Sequence, residues 1–504
     1  MTQIVSAANA GNDRHRCETQ KSVIGCGMNA ESQEVGSLNC ETVLVSSSVR
    51  SLLAVCLTTW AALCLPARLP ADEPAPHRVI GVSGCTAASC HGGKSLVGGE
   101  ATAWLTRDVA HRRAFDVLFD ETSVRMAKQL GLNAAHTEAR CLACHATEAA
   151  HPSGMKGERF AVEFGVGCES CHGAAGTWVT RHTERTWRSL SASQKKNLGF
   201  HDLRSMNTRA EKCVECHVGS PRATVDHDLI AAGHPRLAFE MSAYHALLPK
   251  HWDAAAELQR DPAQELRLWA IGHAVSAKAL SDVAVARAEA AIKSGTKYVT
   301  PDLAEFDCHA CHHDLTEPTR GRPTLRNSLG SPRWGSWSVP PARFVARESN
   351  RLFGQDGTAA ESSVGQLVKL MQQSRLGIAP ADQLSLTARQ SSADLANWSR
   401  SLENAATDAT QRIPLLHRLL AVESDSEWLP TWDGQTQRYL SIIATGRSLR
   451  ATERRGPFTL AADSEVLVNL RHQLTYPAGY ATPRSFDPSE IDRLLRELRQ
   501  SMSH

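Results

Sequence analysis

Ten cysteines fall between residues 85 and 311 in five pairs, and a histidine follows the second cysteine of every pair. Four pairs share the spacing Cys-x-x-Cys-His. They are Cys141, Cys144 and His145 in CLACH; Cys168, Cys171 and His172 in CESCH; Cys213, Cys216 and His217 in CVECH; and Cys308, Cys311 and His312 in CHACH. The remaining pair is wider, with Cys85, Cys90 and His91 reading C-x4-C-H. A disulfide framework has no reason to set a histidine after each second cysteine, and half a zinc site accounts for one copy rather than a series.

The pattern suits a porphyrin. Two thiols must reach the two vinyl groups on one edge of the ring, and the next residue is then placed under the iron. The four regular motifs are therefore read as heme c attachment sites, with His145, His172, His217 and His312 as proximal ligands. In the first motif two extra residues can loop out and still present Cys85, Cys90 and His91; a disulfide or a small metal clip is the alternative there. The expectation is five covalently attached hemes c, the first at the irregular motif.

The other five of the fifteen cysteines all lie before residue 65. They flank or fall within SLLAVCLTTWAALCL (51–65), an apolar run of signal-peptide length preceded by Arg50 and followed by PARLPADEPAP. A signal peptide over 48–71 is expected, cleaved near Ala67–Ala71, with an uncleaved signal anchor as the alternative. Cleavage would remove every cysteine outside the motifs. Residues 1–47 are polar and aperiodic, and read as a disordered extension or a misassigned start. The chain is thus expected to be exported and periplasmic, because c-type heme is attached outside the cytoplasmic membrane.

A chain of 504 residues is long for a single domain. With 42% hydrophobic and 21% charged residues it has the composition of a folded protein, and a formal net charge of +2 gives no basis for a nucleic-acid partner. Aromatic residues make up only 5%, so something besides aromatic side chains is expected to fill the interior. Alternating Val, Ile and Thr runs are nearly absent, so little strand is expected. The longest helical pattern, PAQELRLWAIGHAVSAKALSDVAVARAEAAIKSG, ends at Gly295. A multiheme domain over 72–320 is expected, then a Pro-, Gly- and Arg-rich linker over 321–345. Four helical patterns beyond it (SSVGQLVKLMQQS, SADLANWSRSLENAAT, RIPLLHRLLAVE and PSEIDRLLRELRQ) read as a helical C-terminal domain over 346–504. The fold class is mainly α, a multiheme cytochrome c with the hemes forming its core.

The segment 81–217 resembles the cytochrome c-554 family (the cytochrome c-552/4 domain). The likeness rests on GCTAASCHGG with AWLTRDVAHRRAFDVL, on RCLACH, on FGVGCESCHGAAGTWVTRH and on AEKCVECH. HDLIAAGHPRLAFE and FDCHACHHDL are similar to segments of larger multiheme relatives. The chain departs from the tetraheme pattern in its first motif, in its fifth motif and in its long C-terminal region, and so looks like an extended pentaheme relative. The resemblance implies distal heme ligands at His111 and His182, and at His227 and His234 by likeness to the larger relatives. It also implies an open iron at the second heme, on Cys141, Cys144 and His145. His273 and His313 are left open between ligand and local hydrogen bonding; His136, His151, His201, His245 and His251 read as structural.

The function expected is electron transfer, from an exported oxidoreductase to another redox carrier. The resemblance is to a family whose tetraheme type member accepts electrons from hydroxylamine oxidoreductase, and the departures above leave the partner of this chain open. A reductase or oxidase of a small nitrogen or sulfur compound at a five-coordinate heme is the alternative, and a heme subunit of a membrane-associated redox complex is a third. An electron carrier is favoured over an enzyme.

Overall fold

The architecture follows from one long helix. In a computed structural model that describes residues 77–93, 100–147, 156–312, 332–373, 377–421, 431–452, 464–476 and 486–501, helix is the prevailing element. The expected extension (1–47) and signal peptide (48–71) lie outside the described residues, as do His151, His313 and residues 321–331 of the expected linker, whose remainder leads into the helix Val339–Phe353. Among the described helices, no helix is long and apolar enough to cross a membrane.

The helices that carry the argument are α1 (Glu100–Arg107), α2 (Ala139–His145), α3 (Cys168–His172), α4 (Met206–His217), α5 (His227–Ala231), α6 (Met241–Leu247) and α7 (Gln264–Lys293). Beyond them come α8 (Val339–Phe353), α9 (Thr358–Met371), α10 (Ala381–Glu403), α11 (Arg412–Leu420), α12 (Trp432–Thr452), α13 (Glu465–Gln473) and α14 (Pro488–Ser501). The one described sheet is a two-stranded antiparallel pair, β1 (Tyr298–Val299) with β2 (Ala379–Pro380), in the register Val299 to Ala379.

Helix α7 occupies the span that the sequence pattern predicts, and Gly295, with φ of 76°, terminates it. Every residue from Leu266 to Ala277 is buried. A helix apolar around its whole circumference belongs in the centre of a protein, and α4, α6, α8, α10 and α12 all pack on this one. Two of its polar side chains are bonded within the core. Arg267 donates to Asp261 at 2.8 Å and to the carbonyls of Leu402 (2.7 Å) and Ala405 (2.8 Å). Trp269 Nε1 donates to Ser441 Oγ at 3.0 Å.

One buried apolar core runs from Met206 on α4 to Leu498 on α14. The four C-terminal helical patterns fall on α9, α10, α11 and α14, and their apolar faces enter that core. The residues just before α8 are also drawn in: Trp334 Nε1 donates to Glu305 Oε2 at 2.6 Å, and Trp337 Nε1 to the Phe239 carbonyl at 2.8 Å. The first three motifs stand apart from this core. The small apolar cluster near them is built on Phe115, Leu118, Ala127, Ala135 and Ala146.

Two contacts show how the core carries the motif region. Glu403, the last residue of α10, accepts from the backbone N–H of Met206 (2.7 Å) and of Asn207 (2.9 Å). A carboxylate on the free N–H groups of a helix start, favoured also by the helix dipole, thus fixes the helix that ends in the fourth motif. On α12, Asp433 takes two hydrogen bonds from Arg236 at 2.7 and 2.9 Å, and Arg236 also donates to the Phe306 carbonyl at 3.1 Å, beside the fifth motif.

Gly272 on α7 lets α6 approach: a Cβ there would lie 2.2 Å from Met241 Cβ. Alanine gains about 1 kcal/mol of helix propensity over glycine, but forcing a methyl into a filled core costs about 1–3 kcal/mol. Gly272→Ala is expected to lower the denaturant midpoint at an unchanged m-value. A variant of wild-type stability would show that the two helices can separate freely. His273, in the next position, lies edge-on to Trp269 with ring centres 5.5 Å apart, and burial pushes its imidazole down to about 3 from 6.5. The folded chain keeps it neutral while the unfolded chain takes up a proton, so its contribution to stability is present above pH 6.5 and is lost as the pH falls toward 3. His273→Leu should remove one proton from that dependence, about 1.4 kcal/mol per pH unit, in denaturant titrations at pH 7 and pH 5. An unchanged slope would refute the burial argument.

Candidate heme sites

A turn of helix sets residues i and i+3 on one side and i+4 close behind, which is the order that two thiols and a proximal histidine require. Three motifs use such a turn. The second closes α2, the fourth closes α4, and the third is α3 itself. The fifth begins with a short 3-10 turn, Cys308–Ala310. The irregular first motif folds into a tight loop. Cys90 N–H donates to the Ala87 carbonyl at 2.8 Å and His91 N–H to the Cys85 carbonyl at 3.3 Å, so the two extra residues are absorbed and the ends meet. Gly92 is packed against this loop so closely that a Cβ would lie 2.1 Å from the Thr86 oxygen.

The third motif ties the first to itself. Glu169, between its cysteines, is buried and accepts from the N–H groups of Ile80 (3.0 Å), Gly81 (2.7 Å) and Ala175 (2.7 Å). Cys85 and Cys168 are thereby within hydrogen-bond reach, which raises the Cys85 thiol and lowers that of Cys168. Cys144 and Cys216 form a second such pair between the second and fourth motifs. Burial pushes the thiols of Cys171 to about 12 and Cys213 to about 11.

Each of the five motif histidines faces one other histidine across a near-constant gap. The ring centres are 6.1 Å apart for His91 and His182, 6.2 Å for His217 and His111, and 6.3 Å for His145 and His234. They are 6.3 Å apart for His172 and His251, and 6.2 Å for His312 and His227. Two imidazoles bound to one metal at about 2 Å each, with roughly 1 Å from nitrogen to ring centre, would stand about 6 Å apart. His111, His182, His227 and His234, the four candidates read from the sequence, each take one place.

His251, read from the sequence as structural, stands in the fifth place, facing His172. Nothing in PKHWD marks it, and the only signal available was arithmetic: five proximal histidines facing four candidates. The pairing also crosses the chain order. His111 lies nearer in sequence to the second motif than to the fourth, which it faces, and His182 follows the third motif but faces the first. At the second motif, where the resemblance implies an open iron, His234 faces His145.

Four other described histidines are bonded or packed locally. His245 Nε2 is bonded to Arg209 at 2.8 Å, His201 Nδ1 to the Cys171 carbonyl at 3.1 Å, and His136 stacks on Phe119 at 4.4 Å. His273 is enclosed in the core beside Trp269.

Ring orientation is fixed from behind. His145 Nδ1 bonds the Ala114 carbonyl at 2.6 Å, His234 Nδ1 the Pro235 carbonyl at 2.8 Å, and His111 Nδ1 the Asp108 carboxylate at 2.9 Å. His91 bonds Glu100 at 3.3 Å, the first residue of α1, His251 the Pro249 carbonyl at 3.4 Å, and His182 the Val179 carbonyl. In all six the bonded atom is Nδ1, which leaves Nε2 for a metal, the usual support of an imidazole ligand. Burial pushes the His172 and His217 rings down to about 4, so they are neutral at pH 7, the form that ligates. His111 moves the other way, because the Asp108 carboxylate outweighs its burial.

The glycines of the Gly-Val-Gly lead to the third motif have a local cause. At Gly165, φ is +62° and a Cβ would lie 2.8 Å from the His111 carbonyl oxygen, whose partner is the Val166 N–H at 3.0 Å. The stretch that positions α3 therefore also seats His111.

The first four motifs open on one cavity of about 2330 Å³, lined by their cysteines and histidines and by His111, His182, His234 and His251. A small-molecule pocket is typically about 300–1,000 Å³, so this volume suits several porphyrins. Paired thiols, paired rings and volume all fit heme c.

Comparison with known families gives one match: residues 85–173 match the family described as cytochrome c554 and c-prime. Neither the curated proteins nor the solved structures include a significant match to the chain. The matched segment holds the first three motifs, with His91, His145 and His172, together with His111, and the match supports a c-type cytochrome of electron transfer.

Proposed function

We propose that the chain is an exported five-heme electron carrier in which every iron is held between two histidines. The observation that carries this reading is the recurrence of one geometry, with all five motif histidines facing a partner at 6.1–6.3 Å. Heme c, attached through the paired thiols, supplies an iron that takes up and returns one electron. The protein's own part is positional. Nδ1 hydrogen bonds lock six of the ten facing rings, and burial keeps water from His172 and His217. A metal with imidazole on both faces leaves no position for a substrate, which favours exchange with redox protein partners over chemistry on a small nitrogen or sulfur compound. The partners fitting this reading are an exported oxidoreductase and a second carrier, met in the periplasm.

Two measurements on the mature protein, made in an export-competent host with heme-maturation machinery, test this. Its intact mass should correspond to five hemes on a chain beginning near residue 72; four hemes would remove the first motif from the set. Electron paramagnetic resonance of the oxidised protein should show low-spin heme alone. A high-spin signal, or ready binding of cyanide, would mean an open iron and would favour the enzyme reading.

A further inference from the structure

We propose that residues 226–234 form a single clamp that closes the second and fifth heme sites together and makes them neighbours; this rests on the reading of the motif histidines as heme ligands. Helix α5 begins with His227, whose ring faces His312 of the fifth motif at 6.2 Å. Just past its end the chain turns at Gly233, with φ of +122°, into His234, whose ring faces His145 of the second motif at 6.3 Å. A five-residue helix is only about 7.5 Å long, so one short element addresses two sites whose motifs are far apart in the chain.

The clamp is tied to both motifs. Asp226 caps α5 through the Leu229 N–H at 2.9 Å and accepts from Arg140 at 2.8 Å, and Arg140 immediately precedes Cys141. Asp302 accepts from the His227 N–H at 2.8 Å and caps the turn that leads to the fifth motif, through the Ala304 N–H at 2.8 Å. His234 Nδ1 is bonded to the Pro235 carbonyl at 2.8 Å, so its Nε2 is the nitrogen left for the metal. Gly233 belongs to the device, because an L side chain there would resist the backbone that swings His234 inward.

The clamp separates this chain from the tetraheme pattern it resembles. The added fifth motif shares its anchoring element with the second, and the iron that the resemblance leaves open is the one that His234 covers.

The test uses the full-length protein with its hemes attached. His234→Ala and His227→Ala should each convert one heme in five to high-spin and let it bind one cyanide. His234→Met should keep that heme low-spin and show thioether-to-iron absorption, which reads the position even if the alanine variant assembles poorly. In the double alanine variant the two high-spin centres should relax faster than the sum of the single variants, because neighbouring paramagnets couple. All five hemes remaining low-spin in His234→Ala, at full heme content, would overturn the assignment of His234. Relaxation in the double variant equal to the sum of the singles would overturn the shared clamp. A high-spin heme in the unaltered protein would instead overturn the all-closed reading on which both rest.

Discussion

The facing of two imidazole rings about 6 Å apart is the constraint to which the rest of the structure answers. Each such pair joins stretches of chain that local sequence would not bring together: residue 91 to 182, 111 to 217, 172 to 251, 227 to 312. To hold a ring in place the chain spends a backbone carbonyl or a carboxylate on Nδ1, as at Ala114, Pro235 and Asp108. That bond sets both the tautomer and the direction of Nε2. It also explains the backbone around the sites. Gly165 is needed because the carbonyl of His111 passes against it, and Glu169 is buried because three N–H groups, two just before the first motif and one just after the third, must be satisfied.

Rings so placed need a rigid support, and the C-terminal helices supply it. Glu403 at the end of α10 fastens the start of α4, and Asp433 on α12 holds Arg236 beside Phe306. The Arg236–Asp433 pair is largely withdrawn from water, and a buried ion pair of that kind adds little net stability over apolar residues of the same size. Its bidentate geometry instead fixes a distance and an orientation. Loss of one partner would leave a buried charge, at a cost of about 3–5 kcal/mol.

Much of this was legible in the sequence, for physical reasons that differ by element. The motifs are local, with a spacing that suits a porphyrin edge, so Cys141 through His145 and its counterparts stand out in the sequence, and three of the five fall on a helical turn. Helix α7 announced itself because its apolar residues recur at helical spacing and Gly295 ends it. Helix α12 did not. Its run WDGQTQRYLSIIATGRS has no apolar stripe, yet residues 431–446 are buried. Polar bonding inside the core compensates, as where Arg438 donates to the carbonyls of Leu419 (2.6 Å) and Ala421 (2.8 Å) at the end of α11. His251 was illegible for a further reason. A facing ring is defined by the fold rather than by local sequence, and His251 meets His172 through a path that no periodicity records.

The volume between the rings makes the porphyrins part of the architecture. Cavity formation costs about 24 cal/mol per Å³ where the walls cannot collapse. For a space of about 2330 Å³, even roughly a tenth of it left dry would cost on the order of 5 kcal/mol, comparable with the whole stability of an ordinary domain. Helix α4, fastened by Glu403, and the Glu169 anchor brace the chain beside this space. The low aromatic content is consistent with this: the interior of the motif region is proportioned for porphyrin faces. With porphyrins in that space, heme attachment would be a step of folding for this half of the molecule, while the core around α7 is built from side chains and would provide the frame for that step.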